Sequence, residues 1–258
     1  MQIVTFTTDM GASDYYLGAL KGALISRCID IQIVDIATQV TPFKMRQGAY
    51  ILRNAFPYYP KGTIHIMNVN AADAKGRMLC IHHHEHYFIM FDNGAITLAF
   101  DGIPSETYLI NDDVSESKDQ LFAEGICNVV NALTSGLSLA IIGHRVHQVK
   151  SQRLMIPQSS NGFIKGTVIY FDHYGNAVTN ITRTIFDQSI GTGRFKIEFG
   201  IYEIYKLCRH YSDAEEGDLV ALFNTEGNLE IALNKYNAAN MLSLKIDTSS
   251  ILVQKMGE

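Results

Sequence analysis

"QIVTFTTDMGASDYYLGAL" (Gln2–Leu20) decides the fold, because it passes from strand to helix through a short polar hinge. Gln2–Phe6 is a brief apolar run bounded by turn residues, which predicts a buried strand. Ser13 stands where an N-cap belongs, ahead of Leu17, Leu20 and Leu24 at helical spacing. Asp9 lies in the hinge between them. A carboxylate there either caps the turn or holds a ligand, and this stretch alone favours the cap.

Working outward, "IQIVDIA" (Ile31–Ala37) predicts a second strand, and Thr41-Pro42 predicts the cap and first-turn proline of a second helix. "FPYYPKG" closes that helix before a strand over Thr63–Val69. From Arg77 to Phe100 the period changes to hairpins, with Asp92-Asn93-Gly94 as a tight turn. A third helix is predicted from about Asp119 to Thr134, with Phe122, Ile126, Val130 and Leu133 on one face and Gly136 beyond its end. Such alternation implies a largely parallel sheet with helices on its faces. After the polar connector "IPQSSNG" (Ile156–Gly162) the helical alternation stops, and β-rich runs follow with glycine turns. The fold class is therefore α/β over residues 1–156, then a smaller all-β, barrel-like domain over 157–258.

The 258 residues suit one large domain or two ordinary ones. With 47% hydrophobic and 18% charged residues, the chain can build a proper core. Net charge is −5 with no basic block, which excludes an electrostatic footprint for nucleic acid or an anionic membrane. Cys28, Cys80, Cys127 and Cys208 form no Cys-x-x-Cys pair and read as the reduced thiols of a cytoplasmic protein. The start directly on a strand predicts no signal peptide, and no apolar run reaches the roughly 18 residues of a membrane span.

Local motifs exclude several chemistries. No G-x-G-x-x-G opens a helix, and neither a Gly-Lys-Ser/Thr phosphate loop nor a G-x-S-x-G serine elbow is present. "HHHEH" (His82–His86) puts His82, His84 and His86 on one face if it is a continuous strand, as metal ligands would be. Zinc sites usually gather ligands from separate elements, so an exposed histidine-rich hairpin is the preferred reading and no metal is assigned.

Four stretches resemble one family in its expected order: "TFTTDMGASDYYLGALKG"; "VDIATQVTPFKMRQGAYIL"; "FPYYPKGTIHIMNVNAADAKGR" with "YFIMFDNGAIT"; and "GTVIYFDHYGNAVTNI" with "NLEIALNKYNAA". The family is the S-adenosylmethionine hydroxide adenosyltransferases, whose halogenating relatives are the chlorinases and fluorinases. "FDHYGNAVTNI" is the most specific piece, and the resemblance covers nearly the whole chain. It implies transfer of an adenosyl group from S-adenosylmethionine (SAM) to water, giving adenosine and methionine. SAM is then the substrate, with no separate cofactor.

By this resemblance Asp9 binds the two ribose hydroxyls, and its two acceptor oxygens suit two neighbouring donors. Ligands of open α/β sheets also bind beyond the carboxyl ends of strands. The resemblance further implies that Asp172 and Asn176 hold the methionine end, and that Tyr174 lines the adenine pocket. Thr225 resembles a small hydroxyl residue near the methionine end, and Asn237-Ala238 the segment whose backbone reads the adenine edge. Read without the family, Asp172–Asn176 is a β-turn, and both readings can hold together. Similar family members are homotrimers in which the α/β domain of one subunit and the β domain of the next form each site.

The chain departs from the family where water is activated. The hydrolytic members use an Asp, an Arg seven residues later, and a His at the approach to a helix. Here Arg77 is kept, but Asn70 fills the aspartate position and Ser117 the histidine position. An amide and a hydroxyl accept no proton from water at neutral pH, and losing a general base costs about 10²–10⁴-fold. Asp73 or Asp119 stands near enough in sequence to replace the base, although both also read as solvated turn carboxylates. Ser117 with Gln120 reads as a capping box. The alternative to a hydrolase is a non-catalytic protein that binds SAM or adenosine. Nothing in the sequence marks the halide pocket of a halogenase.

Overall fold

The short apolar runs form a seven-stranded sheet in a computed structural model that describes residues 1–100, 102–111, 113 and 122–256. Its strands are β1 (Gln2–Thr8), β2 (Ile31–Ala37), β3 (Ile64–Asn68), β4 (Met78–His83), β5 (His86–Phe91), β6 (Glu106–Ile110) and β7 (Gly143–Arg145). They run in the order β2-β1-β3-β5-β4-β6-β7. The pairs β1–β2, β1–β3 and β3–β5 are parallel, whereas β4, β6 and β7 extend the sheet antiparallel.

Helices cover both faces, which is why the parallel strands read as continuous apolar runs. Val4, Phe6, Ile64 and Ile66 pack with Leu17, Leu20 and Leu24 of α1 (Tyr15–Arg27) and with residues of the helix Ala123–Thr134. On the opposite face Met67, Phe88 and Met90 pack with Ala49 and Leu52 of α2 (Met45–Ala55) and with α3 (Ala95–Ala99).

Several boundaries differ from the sequence reading. The N-cap of α1 is Asp14, whose Oδ1 accepts from the Tyr15 amide, not Ser13. Helix α2 begins at Met45 rather than at Thr41-Pro42, because Phe43 is left-handed (φ 67°) and interrupts any helix before it. The β4–β5 hairpin turns at His84 and Glu85, both at positive φ, so the asparagine-glycine signal was misassigned. Asp92-Asn93-Gly94 instead leads into α3, with the Asn93 Oδ1 accepting from the Ala95 amide. The third predicted helix is observed over Ala123–Thr134, while its proposed start at Asp119 and the Ser117–Gln120 box lie outside the described residues.

Contacts divide the chain into two compact units, Met1–Leu154 and Met155–Glu258. The second carries β8 (Gln158–Ser160), β9 (Phe163–Phe171), β10 (Ala177–Thr182), β11 (Phe195–Phe199), β12 (Tyr202–Ile204), β13 (Leu219–Phe223), β14 (Asn228–Leu233) and β15 (Ser250–Lys255). The order is β12-β11-β15-β9-β10-β14-β13, with β8 on β9, and every pairing is antiparallel. Its terminal strands β12 and β13 approach each other, which makes the sheet a nearly closed barrel around Ile164, Val168, Ile181, Ile197, Ile231 and Ile251. Two short helices, Arg183–Ser189 and Ala238–Met241, escaped the sequence reading; the Thr182 Oγ1 caps the first by accepting from the Ile185 amide.

Candidate active site

In the first unit the site gathers at the carboxyl ends of β1 and β3. Asp9 follows β1 directly and its amide donates to the Asn68 carbonyl at 3.4 Å. The Asp9 Oδ2 accepts from the backbone amides of Phe43 (2.8 Å) and Asn70 (3.2 Å). No described residue donates to Oδ1, and the side chain is half-buried. Asp9 is therefore held by one oxygen and offers the other. It does not cap α1, since Asp14 does. Beside it, the Nδ2 of Asn68 and the Oγ1 of Thr7 are buried and have no hydrogen-bond partner among the described residues.

Asn70 is the hub of a polar network. It is left-handed (φ 50°), and its side-chain Nδ2 donates to the Asp73 Oδ2 at 2.6 Å. Asn93 ties the same loop down, with Nδ2 donating to the carbonyls of Val69 and Asn70. Arg77 donates from Nε to the Asp92 Oδ2 at 3.0 Å, and the Asp92 side chain is only 3% exposed. The other Asp92 oxygen accepts from the Lys150 amide, and Lys150 Nζ donates to the Asp73 carbonyl at 2.6 Å. Arg77 thus already has a carboxylate partner. The sequence reading missed Asp92 and Lys150 because it spent "FDNG" on a hairpin turn; a buried aspartate fifteen residues after an arginine carries no local signature. With Nε engaged, the two terminal nitrogens of the guanidinium are free of partners among the described residues. Ser117 and Asp119 lie outside the described residues.

The histidine-rich hairpin expected at His82–His86 is present, but it is not exposed throughout, since His86 is buried. His84 sits in the turn between β4 and β5, so His82, His84 and His86 do not share one strand face. His82 pairs with Glu106, while His86 turns inward and meets His65 at 3.2 Å, whose other nitrogen is hydrogen-bonded to Thr5 at 2.7 Å. Burial pushes His65 down to about 3, with His86 adding to the effect, and burial lowers His86 as well. They form a neutral pair packed among Phe56, Tyr59 and Phe88.

In the second unit, the turn between β9 and β10 is built around Asp172. Its Oδ1 accepts from the amides of Tyr174 (2.9 Å) and Asn176 (2.8 Å), and its Oδ2 from the Asn176 side chain (2.9 Å). Gly175 is left-handed (φ 84°), and a Cβ there would fall 2.2 Å from the Asn237 side chain, so glycine is required. Asn237 caps the one-turn helix Ala238–Met241, whose first residue is fully buried. Tyr174, Asn176 and Asn237 line a cavity of about 450 Å³ with Tyr211, Leu233, Lys235 and Tyr236. Tyr211 was not foreseen; its hydroxyl donates to the Glu230 Oε1 at 2.6 Å. Burial raises the Glu230 carboxyl, with the Asp172 charge adding to it against the Tyr211 and Asn224 hydrogen bonds. Thr225 is not among the lining residues: it is exposed in the β13–β14 turn, at the other end of β14 from Asn237.

The SAM hydroxide adenosyltransferase N-terminal domain matches residues 4–143, and the C-terminal domain of the same family matches 166–250. The chain is 26% identical to the (R)-S-adenosyl-L-methionine hydrolase of Methanocaldococcus jannaschii, over 95% of this chain and 93% of that protein. It is also 26% identical to the enzyme of that name from Thermus thermophilus (95% and 97% covered), and 22% identical to a fluorinase of Actinopolyspora mzabensis (94% of each). A crystal structure of an uncharacterized conserved protein from Thermotoga maritima superposes with a TM-score of 0.86 over 98% of this chain and 100% of that one, at 24% identity, which establishes the fold. The two domain matches together span both units, and the chain belongs to the SAM hydroxide adenosyltransferase family.

Proposed function

We propose that the protein is a SAM hydrolase that transfers the adenosyl group to water and releases adenosine and methionine. The observation that carries this reading is the pair of family-domain matches over residues 4–143 and 166–250, with hydrolases among the relatives. In the reaction a water oxygen displaces the sulfonium at the ribose 5′-carbon, and the C–S electron pair leaves on neutral methionine. The leaving group is already activated by its positive charge, so no separate cofactor enters this scheme.

Asp9 binds the ribose diol through its free oxygen, while the amides of Phe43 and Asn70 hold the other. Arg77, oriented by Asp92, turns its terminal nitrogens to the attacking oxygen and stabilises developing hydroxide. Asp172, Asn176, Tyr174, Asn237 and Ala238 of the second unit bind the methionine and adenine parts; Thr225 takes part only if the β13–β14 turn meets the ligand. A homotrimer, testable by equilibrium sedimentation, and a cytoplasmic location consistent with four free thiols complete the proposal.

A second reading, binding without turnover, draws support from the amide of Asn70 in the family's aspartate position. Incubating stoichiometric protein with SAM and following adenosine and methionine by chromatography separates the two. Equimolar release faster than in buffer supports hydrolysis. Binding with no release supports the second reading.

A further inference from the structure

We propose that Asp73 is the proton acceptor for the attacking water, in place of the carboxylate that the chain lacks at position 70. The inference rests on the hydrolase reading above.

The geometry points to Asp73 in three ways. Asn70 and Asp73 are one hydrogen-bonded unit: the amide that fills the family's carboxylate position donates to the Asp73 Oδ2 at 2.6 Å. The lost charge is thus restored one side chain further out. The pair is also fastened to the rest of the candidate site. The Asn70 backbone N–H donates to Asp9, the proposed ribose ligand, and Lys150 bridges from the Asp73 carbonyl (Nζ, 2.6 Å) to the Asp92 Oδ1 (backbone amide, 2.7 Å). Asp92 in turn holds Arg77, so Asp9, Asp73 and Arg77 belong to one connected frame. Finally, Asp73 is exposed and its Oδ1 takes no hydrogen bond from any described residue. One oxygen is fixed by the amide and the other is open to water, as a general base requires.

Asp73 lies on the short 3-10 turn Ala71–Ala74, which is bracketed by the left-handed residues Asn70 (φ 50°) and Lys75 (φ 52°). In the step itself, the water oxygen bonds to the 5′-carbon as the C–S bond breaks toward sulfur. The water proton passes to the Asp73 carboxylate. Arg77 keeps its protons and stabilises the oxygen while negative charge is on it. The protonated carboxyl then returns its proton to solvent, and charge balances: a sulfonium and a carboxylate give two neutral products and a carboxylic acid.

The test is a charge transplant in the full-length protein, read by single-turnover release of adenosine and by calorimetry with adenosine. Asp73→Asn is expected to lower turnover by about 10²–10⁴-fold with adenosine affinity unchanged. The double variant Asn70→Asp/Asp73→Asn, which moves the carboxylate back to position 70 and keeps an amide at 73, is expected to recover most of that loss. Asp73→Asn with wild-type turnover overturns the inference alone. So does a parallel fall in adenosine affinity that the double variant fails to reverse, because Asp73 then only shapes the loop. Wild-type protein that binds SAM and releases no products overturns the hydrolase reading, and the inference with it.

Discussion

Asp9 and Asp172 both follow a strand and both accept backbone amides, yet they are built in opposite ways. Asp9 is held by donors distant in sequence, Phe43 and Asn70, and keeps one oxygen uncommitted. Asp172 takes all three of its donors from Tyr174 and Asn176, within its own turn. The first is a tertiary construction that depends on β1, β3 and the loop before α2. The second is self-contained and works as a rigid local frame. The donors to Asp9 can therefore be displaced by changes far from the carboxylate, whereas the donors to Asp172 are lost only by changes within its own turn.

The largest effect that tests this contrast is expected at Arg77. Arg77→Ala removes the charge at the proposed oxyanion and should lower turnover by about 10²–10³-fold. It also leaves the buried Asp92 side chain with the Lys150 amide as its one remaining donor among the described residues, so the first unit should unfold at lower urea while the second is unaffected. Unchanged turnover would remove Arg77 from the chemistry.

Next in size, Asp9→Ala should weaken adenosine binding by about 1.5–3 kcal/mol in calorimetry, the range for hydrogen bonds to charged groups. Because the same carboxylate anchors Phe43 and Asn70, hydrogen exchange at those two amides should accelerate. Affinity that stays at the wild-type value would reduce Asp9 to a loop anchor.

The buried histidine pair makes the first unit the acid-sensitive one. Unfolded His65 takes its proton near about 6.5, whereas the folded residue does so only near about 3. Between these values the unfolded state binds more protons, so stability rises with pH and is lost as pH falls below about 6.5. The loss from His65 is on the order of 2 kcal/mol by pH 5. Urea midpoints of the first unit should fall across this window, and His65→Gln should flatten the slope. A pH-independent midpoint would mean that the pair is solvated.

The smallest effect belongs to the second unit. Asn176→Ala removes one of three donors to Asp172 and should cost only about 1 kcal/mol of stability, because the two backbone donors remain. A much larger loss would show the turn to be as distributed as the Asp9 site.

The same contrast explains what was legible in the sequence. Strand β1, the apolar stripe of α1 and the change to β-rich runs follow from local periodicity, and the Asp172–Asn176 turn from local turn chemistry. Asp92 was misread because an Asp-Asn-Gly triplet signals a hairpin turn, while here long-range contacts to Arg77, Lys150, Val69 and Asn70 override that preference. The histidine-rich hairpin was legible from its flanking apolar runs, whereas the inward turn of His86 onto His65 depends on a strand twenty-one residues away and has no local signal. Tyr211 and Glu230 are nineteen residues apart and meet only when their segments pack together, so no spacing rule could join them.

The central claim is that water attacks the 5′-carbon of an adenosyl group held in this site. The most direct test is one turnover of SAM by stoichiometric protein in ¹⁸O-labelled water, followed by mass spectrometry of both products. The account predicts heavy oxygen in the 5′-hydroxyl of adenosine and none in methionine, with release slowed by about 10²–10³-fold in Arg77→Ala. Adenosine without the label, or a complex that leaves SAM intact, would contradict it.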